Sequence, residues 1–268
     1  MDFSNIKLVV SDMDGTLLNE NHEVSDRFYK QFKALQKRNI HFVAASGRQF
    51  QSIQHKLYDI KDEISIIGEN GGIMQHDNET KVLLKLSQNN AAECIKALRK
   101  IDNCYIVLCG KKAAYIETSD EKFIKHLKNF YSEVMPVENL LQVKDDDFLK
   151  IAVFHFESSE TFIYPHIKAF EDKYQVIVSG QNWLDISHIE ANKAYALKIL
   201  QQNLGLTSKE TLVFGDFNND IEMLKLADLS YAMANAHPNV KKQAKYQTKS
   251  NNEEGVEHVL DELINSKS

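Results

Sequence analysis

Ile6-Lys7-Leu8-Val9-Val10, followed after Ser11 by Asp12-Met13-Asp14-Gly15-Thr16, is the stretch on which the fold turns. The short apolar, β-branched run reads as a buried strand. Two carboxylates two residues apart come straight after it, and Gly15 permits a tight turn where the chain leaves the strand. In an open parallel α/β sheet, that point is the functional edge. There Asp12 can attack phosphorus or ligate a hard cation, and Asp14 can handle a proton on a leaving group. The bland alternative is a solvated acidic turn, since Asp and Gly are common turn residues.

Outward from this stretch, residues 25–38 carry Phe28, Phe32 and Leu35 at helical spacing. Ile40–Ala45 reads as a second buried strand, residues 49–58 as a helix and Ile64–Ile67 as a third strand. This alternation predicts a doubly wound α/β core with a parallel sheet. After Gly71-Gly72 the rhythm changes. Short extended pieces at 73–76 and 81–86 precede a helical stretch at 89–101. Cys104–Cys109 and Ala113–Glu117 flank Gly110-Lys111-Lys112 as a hairpin, and Leu149–Phe156 and Tyr174–Val178 read as strands. The first rhythm then returns: helix 192–204, strand Thr211–Phe214, helix Asn219–Leu226 and strand Leu229–Met233. The expected organisation is a core of residues 1–83 and 185–268, interrupted by an inserted α+β cap at 84–184, with a frayed tail at Asn265–Ser268.

A second acidic cluster, Gly215-Asp216-Phe217-Asn218-Asn219-Asp220, follows the strand Leu212-Val213-Phe214. Magnesium needs oxygen ligands, and Asp216 can supply a carboxylate opposite Asp12. Asp220 reads either as a partner of that site or as a helix-start acid favoured by the dipole. Ser46-Gly47-Arg48 follows the second strand, where a hydroxyl and free amides can cradle a phosphate; a plain N-cap serine fits too. Arg48 is left open between a structural ion pair and a substrate ligand. Lys193 opens the helix before the Asp216 strand, where a cation can screen carboxylate–phosphate repulsion, although most lysines are simply solvated. Asn70-Gly71-Gly72 reads first as a chain reversal bordering the pocket. Trp183 and Lys112 are cap residues that either touch substrate or merely pack and solvate.

These residues resemble the haloacid dehalogenase superfamily, specifically its Cof-type sugar-phosphate phosphatases. All four signatures stand in the family's order: Asp12-Met13-Asp14-Gly15-Thr16, Ser46-Gly47-Arg48, Lys193, and Gly215-Asp216 with Asn219-Asp220. The resemblance spans nearly the whole chain. It implies that Asp12 forms an aspartyl-phosphate and that Asp14 is the acid/base. The implied magnesium ligands are Asp12, the backbone carbonyl of Asp14, and Asp216. Ser46 and Lys193 would hold the phosphoryl group, Asn219 would lie close to it, and Asp220 would support the metal and lysine. The insert would be the family's mobile cap. One position departs from the pattern: Ala194 stands where the family usually has glycine.

The implied reaction is hydrolysis of a small phosphorylated metabolite. A sugar phosphomutase and a receiver-like signalling protein phosphorylated on Asp12 are the rival readings. The net charge of −6 argues against general nucleic-acid binding. No apolar run approaches the roughly 20 residues that cross a bilayer, and the start, Met1-Asp2-Phe3-Ser4-Asn5, has no signal-peptide pattern. Cys94, Cys104 and Cys109 fit no zinc spacing and read as reduced thiols, which favours the cytoplasm. The physiological substrate and the oligomeric state are not legible in the chain.

Overall fold

The computed structural model describes residues 2–267; Met1, and Ser268 at the end of the tail expected to fray, lie outside them. In chain order the strands are β1 (Leu8–Ser11), β2 (His41–Ala45), β3 (Ser65–Gly68), β4 (Ile73–His76), β5 (Glu79–Val82), β6 (Tyr105–Gly110), β7 (Ala114–Ile116), β8 (Val134–Pro136), β9 (Phe148–Phe154), β10 (Tyr174–Val178), β11 (Trp183–His188), β12 (Thr211–Gly215), β13 (Leu229–Ala232) and β14 (Tyr246–Gln247). They form two sheets. One has the order β14-β13-β12-β1-β2-β3-β4-β5, and the other β10-β11-β9-β6-β7-β8.

The eight-stranded sheet is parallel from β14 to β3 and ends in an antiparallel hairpin, β4–β5, on the edge beyond β3. Central β1 pairs Leu8–Ser11 with Thr211–Phe214 on one side and His41–Ala44 on the other. The carboxyl ends of β1, β2 and β12 are therefore level. The strand order reverses between β1 and β12, which makes a crevice at that end. Helix Asp26–Gln36 covers β2 with the expected stripe: Phe28, Phe32 and Leu35 are buried, and Ser25 caps the helix by accepting from the Phe28 amide. Phe28 meets Phe42 of β2 edge to face at 4.9 Å. Burying each such side chain stabilises by about 1.5–3 kcal/mol.

The six-stranded sheet is antiparallel except for β7–β8. Both of its faces are covered. Ile106, Leu108, Ile151 and Val153 pack into one cluster with helix Gln88–Leu98, while Val107, Cys109, Ala152 and Phe154 pack into another with helix Glu121–Leu127. Two-sided burial explains why β9 reads as an unbroken apolar run around a single lysine, Lys150.

Some expectations are corrected. The boundary set at residue 184 falls inside β11, which pairs with β10 and β9 as far as His188. The chain re-enters the first layer only at helix Lys193–Leu204. The helix expected at Asn219–Leu226 is a 3-10 turn at Asn218–Asp220 followed by one α-turn at Ile221–Leu224. The tail does not fray at Asn265. Helix Gly255–Ser266 buries Val256, Val259, Leu260 and Leu263, and Lys267 Nζ donates to the Ile6 carbonyl at 2.6 Å. No helix among the described residues is long and apolar enough to cross a membrane.

Candidate active site

The level ends of β1, β2 and β12 deliver Asp12, Ser46 and Asp216 to one crevice. The Asp12 amide donates to the Phe214 carbonyl at 3.1 Å, which extends the β1–β12 ladder into the site. Gly15 has φ 74°, and a Cβ there would collide with the Asp216 carboxylate, so the turn after β1 closes against the loop after β12 only with glycine. Thr16 Oγ1 donates to Asp216 Oδ1 at 3.2 Å across the same contact.

Lys193 is fully buried at the first turn of its helix, behind the N-cap Asn192. Its Nζ reaches Asp12 Oδ1 at 2.5 Å and Asp220 Oδ1 at 2.6 Å. Ala194 is buried within that helix, and Lys193 makes both contacts beside it. Asp220 Oδ2 accepts from the amides of Asp216 and Phe217 at 2.9 and 3.0 Å. Both oxygens of Asp220 are thus engaged, holding the lysine on one side and the Asp216 loop on the other.

One oxygen from each of Asp12, Asp216 and Asp220 lies within 4.8 Å of the others. Burial and then the Asp220 charge push the Asp12 carboxyl up to about 7 despite Lys193. Burial, then Asp12 and Asp220, drive Asp216 well above the usual carboxylate range. Burial opposes the charge on Lys193, but Asp12 and Asp220 outweigh it and raise its affinity for the proton. Three carboxylates against one ammonium is a hard-oxygen set short of positive charge, and this fits a divalent cation such as magnesium. The carboxylates placed to hold it are Asp12, Asp216 and Asp220, of which Asp220 also holds Lys193 and two backbone amides.

The Asp14 side chain is turned to a different partner. Arg48 Nε donates to its Oδ2 at 2.7 Å and Arg48 Nη2 to its Oδ1 at 2.6 Å, with His22 Nδ1 3.3 Å away. Burial would raise this carboxyl, but the His22 hydrogen bond and the Arg48 charge hold it well below its ordinary value. Arg48 is therefore the ion-pair partner of Asp14 in this geometry. Its Nη1 donates to the Asn129 carbonyl at 2.6 Å, and the Phe130 ring lies 5.0 Å from its guanidinium carbon. Ser46 is buried and its Oγ accepts from the Arg48 amide at 3.1 Å. Ser46, Gly47 and Asn219 all line the cleft, which has a volume of about 360 Å³ and runs from Asp12 to Phe130 and Trp183 of the second layer. Lys112 does not line it and binds the carbonyl of Asp145.

Sequence reasoning missed a buried polar network behind this site. Lys150 of β9 lies 3.3 Å from Glu69 Oε2 and 3.2 Å from Asp185 Oδ1, and donates to the Gly47 carbonyl at 2.5 Å. Asp185 Oδ2 accepts from Asn70 at 2.6 Å, and Asn70 Oδ1 accepts from Asn219 at 3.0 Å. Asn70-Gly71-Gly72 therefore reverses the chain and also places a buried amide in the network. Gly71 has φ 93°, and a Cβ there would strike the Asn192 carbonyl, so the turn seats against the cap of the Lys193 helix. Gln49, also buried, accepts from the amides of Ser132 and Glu133 and donates to the Glu133 carbonyl. The segment 47–49 after β2 is thus tied at each residue to the six-stranded layer.

A family model described as haloacid dehalogenase-like hydrolase matches residues 9–260. The chain is 33% identical to the 5-amino-6-(5-phospho-D-ribitylamino)uracil phosphatase YbjI of Escherichia coli (strain K12), over 97% of this chain and 96% of that protein. It is 29% identical to the putative phosphatase YxeH of Bacillus subtilis (strain 168), over 97% of this chain and 99% of that one. A solved structure from Streptococcus mutans UA159 superimposes with a TM-score of 0.90 at 32% identity, covering 97% of this chain and 99% of the other.

Proposed function

Since this chain belongs to the haloacid dehalogenase-like hydrolases and is a phosphoric monoester hydrolase, we propose that it hydrolyses small phosphomonoesters, sugar phosphates or related metabolites, with magnesium and through an aspartyl-phosphate on Asp12. The observation that carries this reading is Asp12 itself: a buried carboxylate at the end of β1, gripped by Lys193 and sharing one oxygen cluster with Asp216. Residues 1–83 and the chain after His188 are proposed as the catalytic core and the insert from residue 84 as the cap, its end moved from residue 184 to His188 because β11 belongs to the cap sheet.

In the first step an Asp12 oxygen bonds to phosphorus while the bond to the leaving alcohol breaks, and Asp14 supplies that alcohol's proton. In the second, Asp14 as carboxylate takes a proton from water, the water oxygen bonds to phosphorus, and Asp12 is released. Arg48 holds Asp14 in the anionic form that the second step needs. Its fork must loosen for Asp14 to carry the proton of the first. Lys193, the Ser46 hydroxyl, the Gly47 amide and Asn219 hold the transferred phosphoryl group. Asp12, the Asp14 carbonyl and Asp216 would hold magnesium, whose charge offsets the repulsion between carboxylate and phosphate when it is bound. The free thiols Cys94, Cys104 and Cys109 support a reducing compartment, the cytoplasm.

Phosphate released from a panel of sugar phosphates, nucleotides and phosphorylated cofactors, with and without magnesium, tests the proposal. Free phosphate that depends on magnesium supports it. Phosphate that only moves within a sugar, or that remains on the protein for minutes, overturns it.

A further inference from the structure

The cleft is charged at one end and neutral at the other. Its cations are all engaged near the phosphate end: Arg48 by Asp14 and the Asn129 carbonyl, and Lys150 by Glu69, Asp185 and the Gly47 carbonyl. The far wall is built of rings. Trp183 meets Phe130 edge to face at 5.6 Å and lies nearly parallel to His126 at 6.3 Å. Phe154 packs behind both, 4.9 Å from Trp183 and 4.7 Å from His126, and so fixes their orientation. Burial lowers the affinity of His126 for a proton, so this ring is a neutral wall too. Beside the rings runs Ser179-Gly180-Gln181-Asn182, all lining the cleft and all uncharged. Asn182 is oriented by amide donation to the carbonyls of His155 and Phe156 at 2.9 and 3.0 Å. Among the described residues, neither its Oδ1 nor the Gln181 amide has a protein partner.

We propose that this wall is the leaving-group subsite, and that it selects monophosphate esters whose alcohol carries a planar, uncharged heteroaromatic ring. The inference rests on the phosphatase reading and narrows it. Fixed flat faces reward a flat partner, because ring stacking adds to area burial without further ordering of the wall. The neutral amides of Gln181 and Asn182 suit the alternating donors and acceptors on such a ring's edge. A second phosphate or another anion on the leaving group finds no unengaged cation among the described residues of the cleft, and its desolvation would count against it.

Trp183 is the chain's only tryptophan, so its emission reports this wall directly. With magnesium present, uridine 5′-monophosphate and flavin mononucleotide are compared with ribose 5-phosphate and glucose 6-phosphate. At least one ring-bearing ester should exceed both sugar phosphates in kcat/KM by about ten-fold, the size of one stacking contact. Its product alcohol should perturb Trp183 emission, where ribose does not. Trp183→Leu should raise KM for the ring-bearing ester by about ten-fold and collapse the ratio, and Trp183→Phe should restore part of it. Gln181→Ala, at an exposed position, should reduce the ratio without the risk of unfolding. Sugar phosphates turned over as well as or better than the ring-bearing esters would overturn the subsite and leave the phosphatase standing. Equal losses on all four esters in Trp183→Leu would do the same. No phosphate from any ester would overturn both.

Discussion

Replacing Lys150 with methionine removes a cation that two buried carboxylates share. Lys150, Glu69 and Asp185 are 2%, 1% and 4% exposed, so water cannot take over the lost contacts. Removing one partner of a buried ion pair costs about 3–5 kcal/mol, because the remaining charge stays buried and unpaired. The Gly47 carbonyl also loses its 2.5 Å donor. For a domain of this size the loss lowers the thermal midpoint by roughly 10 °C. The cost must depend on pH in a definite direction. Burial already lifts Glu69 from 4.5 to about 7 in the wild type, against the pull of Lys150. A carboxyl whose pKa is raised on folding contributes stability that is complete below about 4.5 and is lost as pH rises through the folded value. Without Lys150 the folded value of Glu69 climbs further, so the deficit of Lys150→Met should be smaller near pH 5 than above pH 7. Circular-dichroism melts of both proteins across that range measure it. A variant as stable as wild type at pH 8, or one whose deficit grows toward acid, would show that the three charges do not act as a buried unit.

Three further outcomes follow from the site geometry. Asp14→Asn keeps the shape of Asp14 but cannot exchange a proton. It should slow single-turnover hydrolysis of an alkyl phosphate more than that of an ester with an acidic leaving group, and equal losses would remove Asp14 from the role of leaving-group acid. Magnesium at saturating concentration should raise the thermal midpoint of the wild type, and Asp216→Ala should abolish the rise; a rise that survives would move the metal elsewhere. Gly15→Ala places a methyl group at φ 74° against the Asp216 carboxylate, and should cost turnover at least ten-fold, read from released phosphate. Unchanged kinetics would mean that the two loops do not need this contact.

Much of the site was legible because its residues stand directly after apolar strands. Asp12 follows β1 and Asp216 follows β12, and parallel pairing with level ends makes their meeting a consequence of topology. Lys193 was legible as a cation opening a helix near the same edge; that it would be wholly buried between two acids required the third dimension. Arg48 could not be assigned from the chain, because its partner Asp14 and its second contact, the Asn129 carbonyl, lie 34 and 81 positions away. The Lys150 network carried a signal that went unused: a lysine inside the apolar run Phe148–Phe154 has to find buried acids. Which acids they are was hidden, since Glu69 follows β3 of the other sheet and Asp185 stands on β11, a strand not read from the sequence and cut by the boundary set at residue 184. Helix Gly255–Ser266 was visible in the spacing of Val256, Val259, Leu260 and Leu263, and its position near the chain end obscured it.

The central claim is that phosphorus passes through a covalent bond to Asp12. The stereochemistry of one complete turnover tests it most directly. An ester whose thiophosphoryl group is made chiral by oxygen isotopes is hydrolysed in water enriched in a further isotope, and the configuration of the released thiophosphate is determined. Attack by Asp12 and then by water makes two in-line displacements at phosphorus, and each inverts the centre. The product should show overall retention. Overall inversion would mean a single displacement by water, with Asp12 no more than a ligand beside it.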